Sequence, residues 1–159
     1  LLGVVSAYPL WNNAILPVLF VVSALSAGLA ATSLVGLITD RERFEQMWLI
    51  KKSHVILSAI EMVVLATMLI IVSSGSPEGA ASVASLVSGQ YAPMFWGGLV
   101  LLGLVAPFAI EGYPVFVTRK VETSTTSMVV SVIGEGGVLV GGFMLRLLVI
   151  LAALPVLYL

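Results

Sequence analysis

KKSHVILSAIEMVVLATMLIIV, Lys51 to Val72, places only His54 and Glu61 as ionisable groups in the twenty positions after its opening lysine pair. A bilayer core about 30 Å thick is crossed by about 20 apolar residues wound as a helix. Lipid offers the backbone no hydrogen bonds, so a run of this length must satisfy its own amides and carbonyls, as a helix does. Three further stretches meet the same requirement, giving spans at about 14–39, 53–73, 93–117 and 127–158. The whole chain agrees with them. Its 60% hydrophobic and 9% charged residues stand against about 45–50% and about 25% in soluble domains. The reading is an all-α integral membrane helical bundle with about four transmembrane helices, a single membrane domain over residues 1–159.

Net charge is −1 with seven basic residues, too few for the cationic stripe of a nucleic-acid surface. There is no cysteine, which excludes disulfides and cysteine-ligated zinc or iron–sulfur centres in this chain. The opening Leu1-Leu2-Gly3 has no initiator Met and no basic n-region, so it does not read as a signal peptide. The expectation is a piece of a longer polypeptide, with residues 1–8 as the tail of an earlier helix or an interfacial segment.

Charge in the loops is one-sided. Arg41, Arg43, Lys51, Lys52, Arg119 and Lys120 all fall in TDRERFEQMWLIKKSH and TRKVETSTTS, while SSGSPEGAASVASLVSGQYAP has neither Lys nor Arg. The positive-inside rule puts the first two loops in the cytoplasm and the third outside. The third, rich in Gly, Ser and Ala, reads as flexible loop, with a short helix at 80–87 as the alternative. A kink is expected around Pro107 in the third span, because an interior proline removes a backbone bond and crowds the turn before it. GEGGVLVGG, Gly134 to Gly142, contains the pair Gly137 and Gly141, whose spacing allows close approach of a neighbouring helix.

Charge at the bilayer centre costs at least about 2.5–3.5 kcal/mol on insertion scales, so ionisable residues in spans usually face a bundle interior. His54 and Glu61 are two turns apart, within about 20° of a common face and about 10 Å along the axis. Glu135 and Arg146 share a face about three turns apart, separated by about 16 Å. Glu111 lies near the end of the third span. The functional reading of His54, Glu61, Glu135 and Arg146 is a proton relay, completed by waters or by groups on another helix. The structural reading is buried charge pairing that fixes helix packing, with His54 an interfacial neighbour of Lys51 and Lys52. One histidine cannot provide bis-His ligation, so no haem is expected in this chain. No HExxH, P-loop, GxGxxG or nucleophile elbow is present.

Trp11, Asn12 and Asn13 open the first span. Trp11 suits the headgroup level, and an Asn suits the cap of a first turn or a hydrogen bond to a ligand carbonyl, leaving two readings for the pair.

PLWNNAILPVLFVVSALSAGLA, Pro9 to Ala30, resembles the P-[LF]-W-N-x-x-[IL]-L-P-x-L-F-x-x-S-x-[LI]-x-x-G segment of the NrfD/polysulfide reductase membrane-subunit family. Two more segments match it in order: KKSHVILSAIEMVVL, with Glu61 at mid-helix, and GGFMLRLLVILA, with Gly141, Gly142, Phe143 and Arg146. Where members often carry an acidic residue before the second span, this chain has Ser53-His54. The resemblance covers the second half of such proteins, whose quinone-contacting Tyr would fall upstream of Leu1. It implies a haem-free quinone/quinol-interacting anchor in a bacterial or archaeal cytoplasmic (inner) membrane, using menaquinone or ubiquinone. Its partners would be a ferredoxin-like iron–sulfur subunit and a molybdopterin-type catalytic subunit, which would hold the clusters and the molybdopterin. Trp11, Asn12 and Asn13 are then candidates to face quinone. The rival readings are a secondary transporter with an ion or substrate at Glu61, Glu135 and Arg146, and a purely structural anchor.

Overall fold

The computed structural model describes residues 8–39, 48–113, 116 and 125–153. Those residues form α1 (Ile15–Thr39), α2 (Trp48–Gly75), α3 (Pro77–Val87), a π-helix (Met94–Val105) continuing without a break into α4 (Ala106–Tyr113), and α5 (Thr125–Leu151). Four helical stretches are long and apolar enough to cross a membrane: Ile15–Thr39, Leu49–Gly75, Met94–Tyr113 and Met128–Leu151. The 25 residues of α1 rise about 38 Å at about 1.5 Å each, more than the hydrocarbon thickness. The protein is a multi-pass membrane protein.

Burial shows the same thing from the inside. Val21, Leu25 and Ile38 of α1, Val63 and Ile70 of α2, and Ile133 and Phe143 of α5 are exposed, while His54, Glu61, Glu111 and Glu135 are buried. Apolar stripes facing outward around buried charge suit lipid, not water, as the surrounding solvent.

The spans form a ring. α1 lies against α2 and α5, and the π-helix with α4 closes the circuit between α2 and α5. Neighbours run antiparallel: the indole N–H of Trp11, just before α1, donates to the Val149 carbonyl near the end of α5 at 2.9 Å. This pairing defines a Trp11 end of the bundle and, opposite it, a Lys51 end.

Local signals account for the ends. Asn13 Oδ1 accepts the Ile15 N–H at 2.9 Å, and Pro17 falls in the first turn, where no amide has an intrahelical acceptor. The second span begins earlier than its apolar run suggests: Lys51, Lys52 and His54 lie on α2, not in a loop. Arg41, Arg43, Arg119 and Lys120, the other charges of the loop argument, lie outside the described residues, as do residues 1–7. The last helix is described to Leu151, short of 158, and the third to Tyr113, short of 117.

The third loop corrects the expectation of flexible chain. Ser76 caps α3, its hydroxyl accepting the Gly79 N–H at 3.0 Å; Pro77 occupies the first turn and Glu78 adds the acidic residue that the helix N-terminus favours. Gly79, Ser82 and Leu86 form its buried side. Small residues raised the expectation of a loop, but a complete set of start signals outweighs their weak propensity.

Just before Pro107 the helix changes winding, from π to α. The π-helix ends at Val105, with Ala106 N–H donating to the Leu101 carbonyl five residues back. Pro107 has no N–H to offer Leu102, and that carbonyl faces Gly137 of α5, where a Cβ would stand 2.6 Å from the oxygen. A glycine Cα–H fits there instead. One turn on, a Cβ on Gly141 would run into the backbone of Gly103. The glycines of α5 are the reason the two helices can touch backbone to backbone, the device available where lipid supplies no hydrophobic drive to association.

Candidate functional site: a buried polar string

The inward face of α2 changes character along its length. Lys51, His54, Ser58 and Glu61 are buried on it, followed at the same spacing by Leu65, Met68 and Val72. The 3.6-residue period puts all seven on one side, so polar groups occupy the Lys51 end and apolar ones the Trp11 end.

Three helices meet at His54. Its Nδ1 lies 2.9 Å from Glu111 Oε2 of α4 and 3.2 Å from Glu135 Oε2 of α5, the three side chains being 1%, 2% and 0% exposed. Both oxygens crowd one nitrogen, and neither contact has the direction of a ring N–H hydrogen bond. One turn earlier on α2, Lys51 Nζ donates to Ser131 Oγ of α5 at 3.0 Å, close enough to Glu111 and Glu135 to act on both electrostatically. The cation and the two carboxylates compensate one another where single buried charges would be costly.

Toward mid-bundle, the Glu61 carboxyl faces the Ser23 hydroxyl of α1 and feels the charges of His54 and Arg146. Arg146 reaches it by folding back along its own helix, Nη1 donating to the Gly142 carbonyl at 2.6 Å. The space is Gly142's missing side chain: a Cβ there would lie 3.2 Å from Arg146 Nη1 and 3.6 Å from Ser23 Oγ. The residues thus succeed one another as Ser131, Lys51, Glu111 with Glu135, His54, Ser58, Glu61, Ser23 and Arg146.

Of the residues singled out from sequence, His54 and Glu135 come together directly, and Glu61 lies near enough to Arg146 to feel its charge. His54 is buried inside the bundle. Glu111 was seen as a charge near a helix end but not as part of a site; its convergence with Glu135 depends on α4 packing on α5, for which only the glycine spacing gave a signal. Lys51, counted as a loop charge, and Ser23 and Ser131 gave none. The opening residues form a separate place at the Trp11 end. Trp11 uses its N–H on Val149 and stacks on Tyr8 with ring centroids 4.4 Å apart, Asn13 caps α1, and Asn12 is exposed.

Fold and site together define a polytopic membrane protein whose described residues bury Lys51, His54, Glu61, Glu111 and Glu135 among four spans. Comparison with known proteins is consistent in direction. The family described as "Polysulphide reductase, NrfD" matches residues 1–157, and the chain belongs to that family. It is 26% identical over 154 residues to the "Protein NrfD homolog" of Haemophilus influenzae, covering 96% of this chain and 46% of that protein. It is 29% identical over 116 residues to the C subunit of the polysulfide reductase of Wolinella succinogenes, covering 70% of this chain and 36% of that protein. The sequence therefore spans less than half the length of either curated relative. No solved structure matches it.

Proposed function

We propose that this chain is part of the quinone/quinol-interacting membrane anchor of a respiratory oxidoreductase, exchanging electrons with a partner iron–sulfur subunit and relaying protons through Glu61. The observation that carries the reading is the polar string, ionisable groups from α2, α4 and α5 buried in one line with Ser131, Ser58 and Ser23 among them. A relative named as one subunit of a polysulfide reductase supports a multi-subunit assembly. The iron–sulfur and molybdopterin centres belong to those partners, and quinone, menaquinone or ubiquinone, is the substrate of the assembly.

The chemistry assigned to this chain is proton handling. Quinol oxidation releases two protons with its two electrons, and a carboxyl that exchanges protons inside the membrane gives them a route. Glu61 holds the proton, the Ser23 hydroxyl passes it, and the Arg146 guanidinium stabilises the carboxylate left behind. Leucines and Met68 lie between the string and the Trp11 end, so a proton released by quinol there reaches Glu61 through waters or groups of the rest of the assembly and leaves toward the Lys51 end. The two lysines there give that end the positive charge expected of the cytoplasmic side. At the opposite end, exposed Asn12 is the side chain free to meet a quinone carbonyl, whereas Trp11 and Asn13 hold the helix ends in place.

Purification of the intact complex with a subunit and cofactor inventory tests the assignment, together with quinol-driven reduction of the partner's clusters followed by electron paramagnetic resonance. Iron–sulfur and molybdopterin subunits with quinol-reducible clusters are expected. A solitary complex showing substrate-dependent uptake in liposomes would replace this reading with a transporter.

A further inference from the structure

Glu111 and Glu135 present more lone pairs to the bundle interior than the protein satisfies. Among the described residues, Glu135 Oε1 and Oε2, Glu111 Oε1 and both ring nitrogens of His54 are fully buried without an aligned hydrogen-bond partner. Buried polar groups are nearly always satisfied, and each one left over costs about 1–3 kcal/mol. Four of them, His54 Nδ1 and the three carboxyl oxygens, call for a common partner, while Nε2 on the far side of the ring needs another. A proton on Nδ1 serves only one oxygen at a time, and the ring does not direct that nitrogen along either contact.

From this arrangement we infer that His54, Glu111 and Glu135 form a three-ligand site for a divalent first-row cation of the zinc class. Two ligands about 2.1 Å from one ion and subtending a tetrahedral or octahedral angle lie about 3.0–3.4 Å apart. The Nδ1 to Oε2 separations are 2.9 and 3.2 Å, and one donor atom from each residue falls within 4.8 Å of the others. One imidazole and two carboxylates suit zinc, manganese or cobalt. The two carboxylates also neutralise a 2+ charge, which a low-dielectric site requires. The site lies at the Lys51 end of the string, so an ion held there closes the route to Glu61. This last consequence rests on the relay reading; the binding itself does not.

Titration of the chelator-treated complex with Co²⁺ alone tests the site by the visible absorption of a low-symmetry cobalt centre, with Zn²⁺ displacement as the count. One ion per subunit is expected. His54→Gln and Glu135→Gln should each weaken binding at least tenfold, while Glu61→Gln, outside the cluster, should leave it intact. Lys51→Gln removes a neighbouring cation and should tighten binding several-fold, which decides the matter even where a ligand variant does not assemble. Binding that is equal in all these proteins, or no binding in the wild type, overturns the site. Stoichiometric Zn²⁺ that leaves quinol turnover unchanged upholds the site and overturns its position on the proton route.

Discussion

The two halves of the bundle are built on the same helices by opposite chemistry. At the Trp11 end Leu16, Leu19, Leu65, Met68, Leu99 and Leu145 fill the interior; at the Lys51 end the same faces carry Lys51, His54, Glu111, Ser131 and Glu135. On α2 the switch occurs between Glu61 and Leu65, one turn, with no change in which side faces inward. Spacing decides burial and residue type decides function, so two segments with one hydrophobic period do different work. The apolar half seals; the polar half holds the buried ionisable groups.

The largest effect expected on this contrast comes from the seam both halves share. Gly141→Val would place a branched side chain in the backbone of Gly103, and loss of folded, assembled protein is expected in detergent size-exclusion chromatography. Next is the seal. Leu145→Ala, at a position 2% exposed, should cost about 2–5 kcal/mol by opening a cavity, read as a lowered denaturation midpoint with proton handling otherwise intact. Retained stability would mean that the apolar half is looser than its burial implies. Asn13→Ala removes the cap on α1 and should cost about 1 kcal/mol, without altering the titration of a quinone-analogue inhibitor. The smallest stability effect belongs to Asn12→Ala, which should weaken that inhibitor several-fold while the thermal midpoint stays put. If the two asparagines exchange these outcomes, their roles must be exchanged as well.

Much of the contrast is legible in the sequence. Length and hydropathy reveal the spans, and the seven-residue interval between His54 and Glu61 places both on one face. The meeting of His54 with Glu111 and Glu135 is not legible, because it depends on which helices become neighbours, and spacing along a polypeptide says nothing of that. The apparent gap between Glu135 and Arg146 shows a second limit. Distance along the axis measures Cα positions, whereas a long guanidinium stem lying over Gly142 moves its charge by a full turn. α3 marks a third: Ser76, Pro77 and Glu78 announced a helix that the small residues after them concealed. The π winding before Pro107 had no signal beyond the proline itself.

The central claim is that Glu61 carries protons for quinol chemistry. Its most direct test is Glu61→Gln in the complex reconstituted into liposomes, with electron transfer and proton release measured together. Proton-coupled turnover should fall at least about tenfold while subunits and redox cofactors remain at wild-type content. Wild-type turnover and proton stoichiometry in that variant would contradict the relay and leave the buried charges a purely structural role.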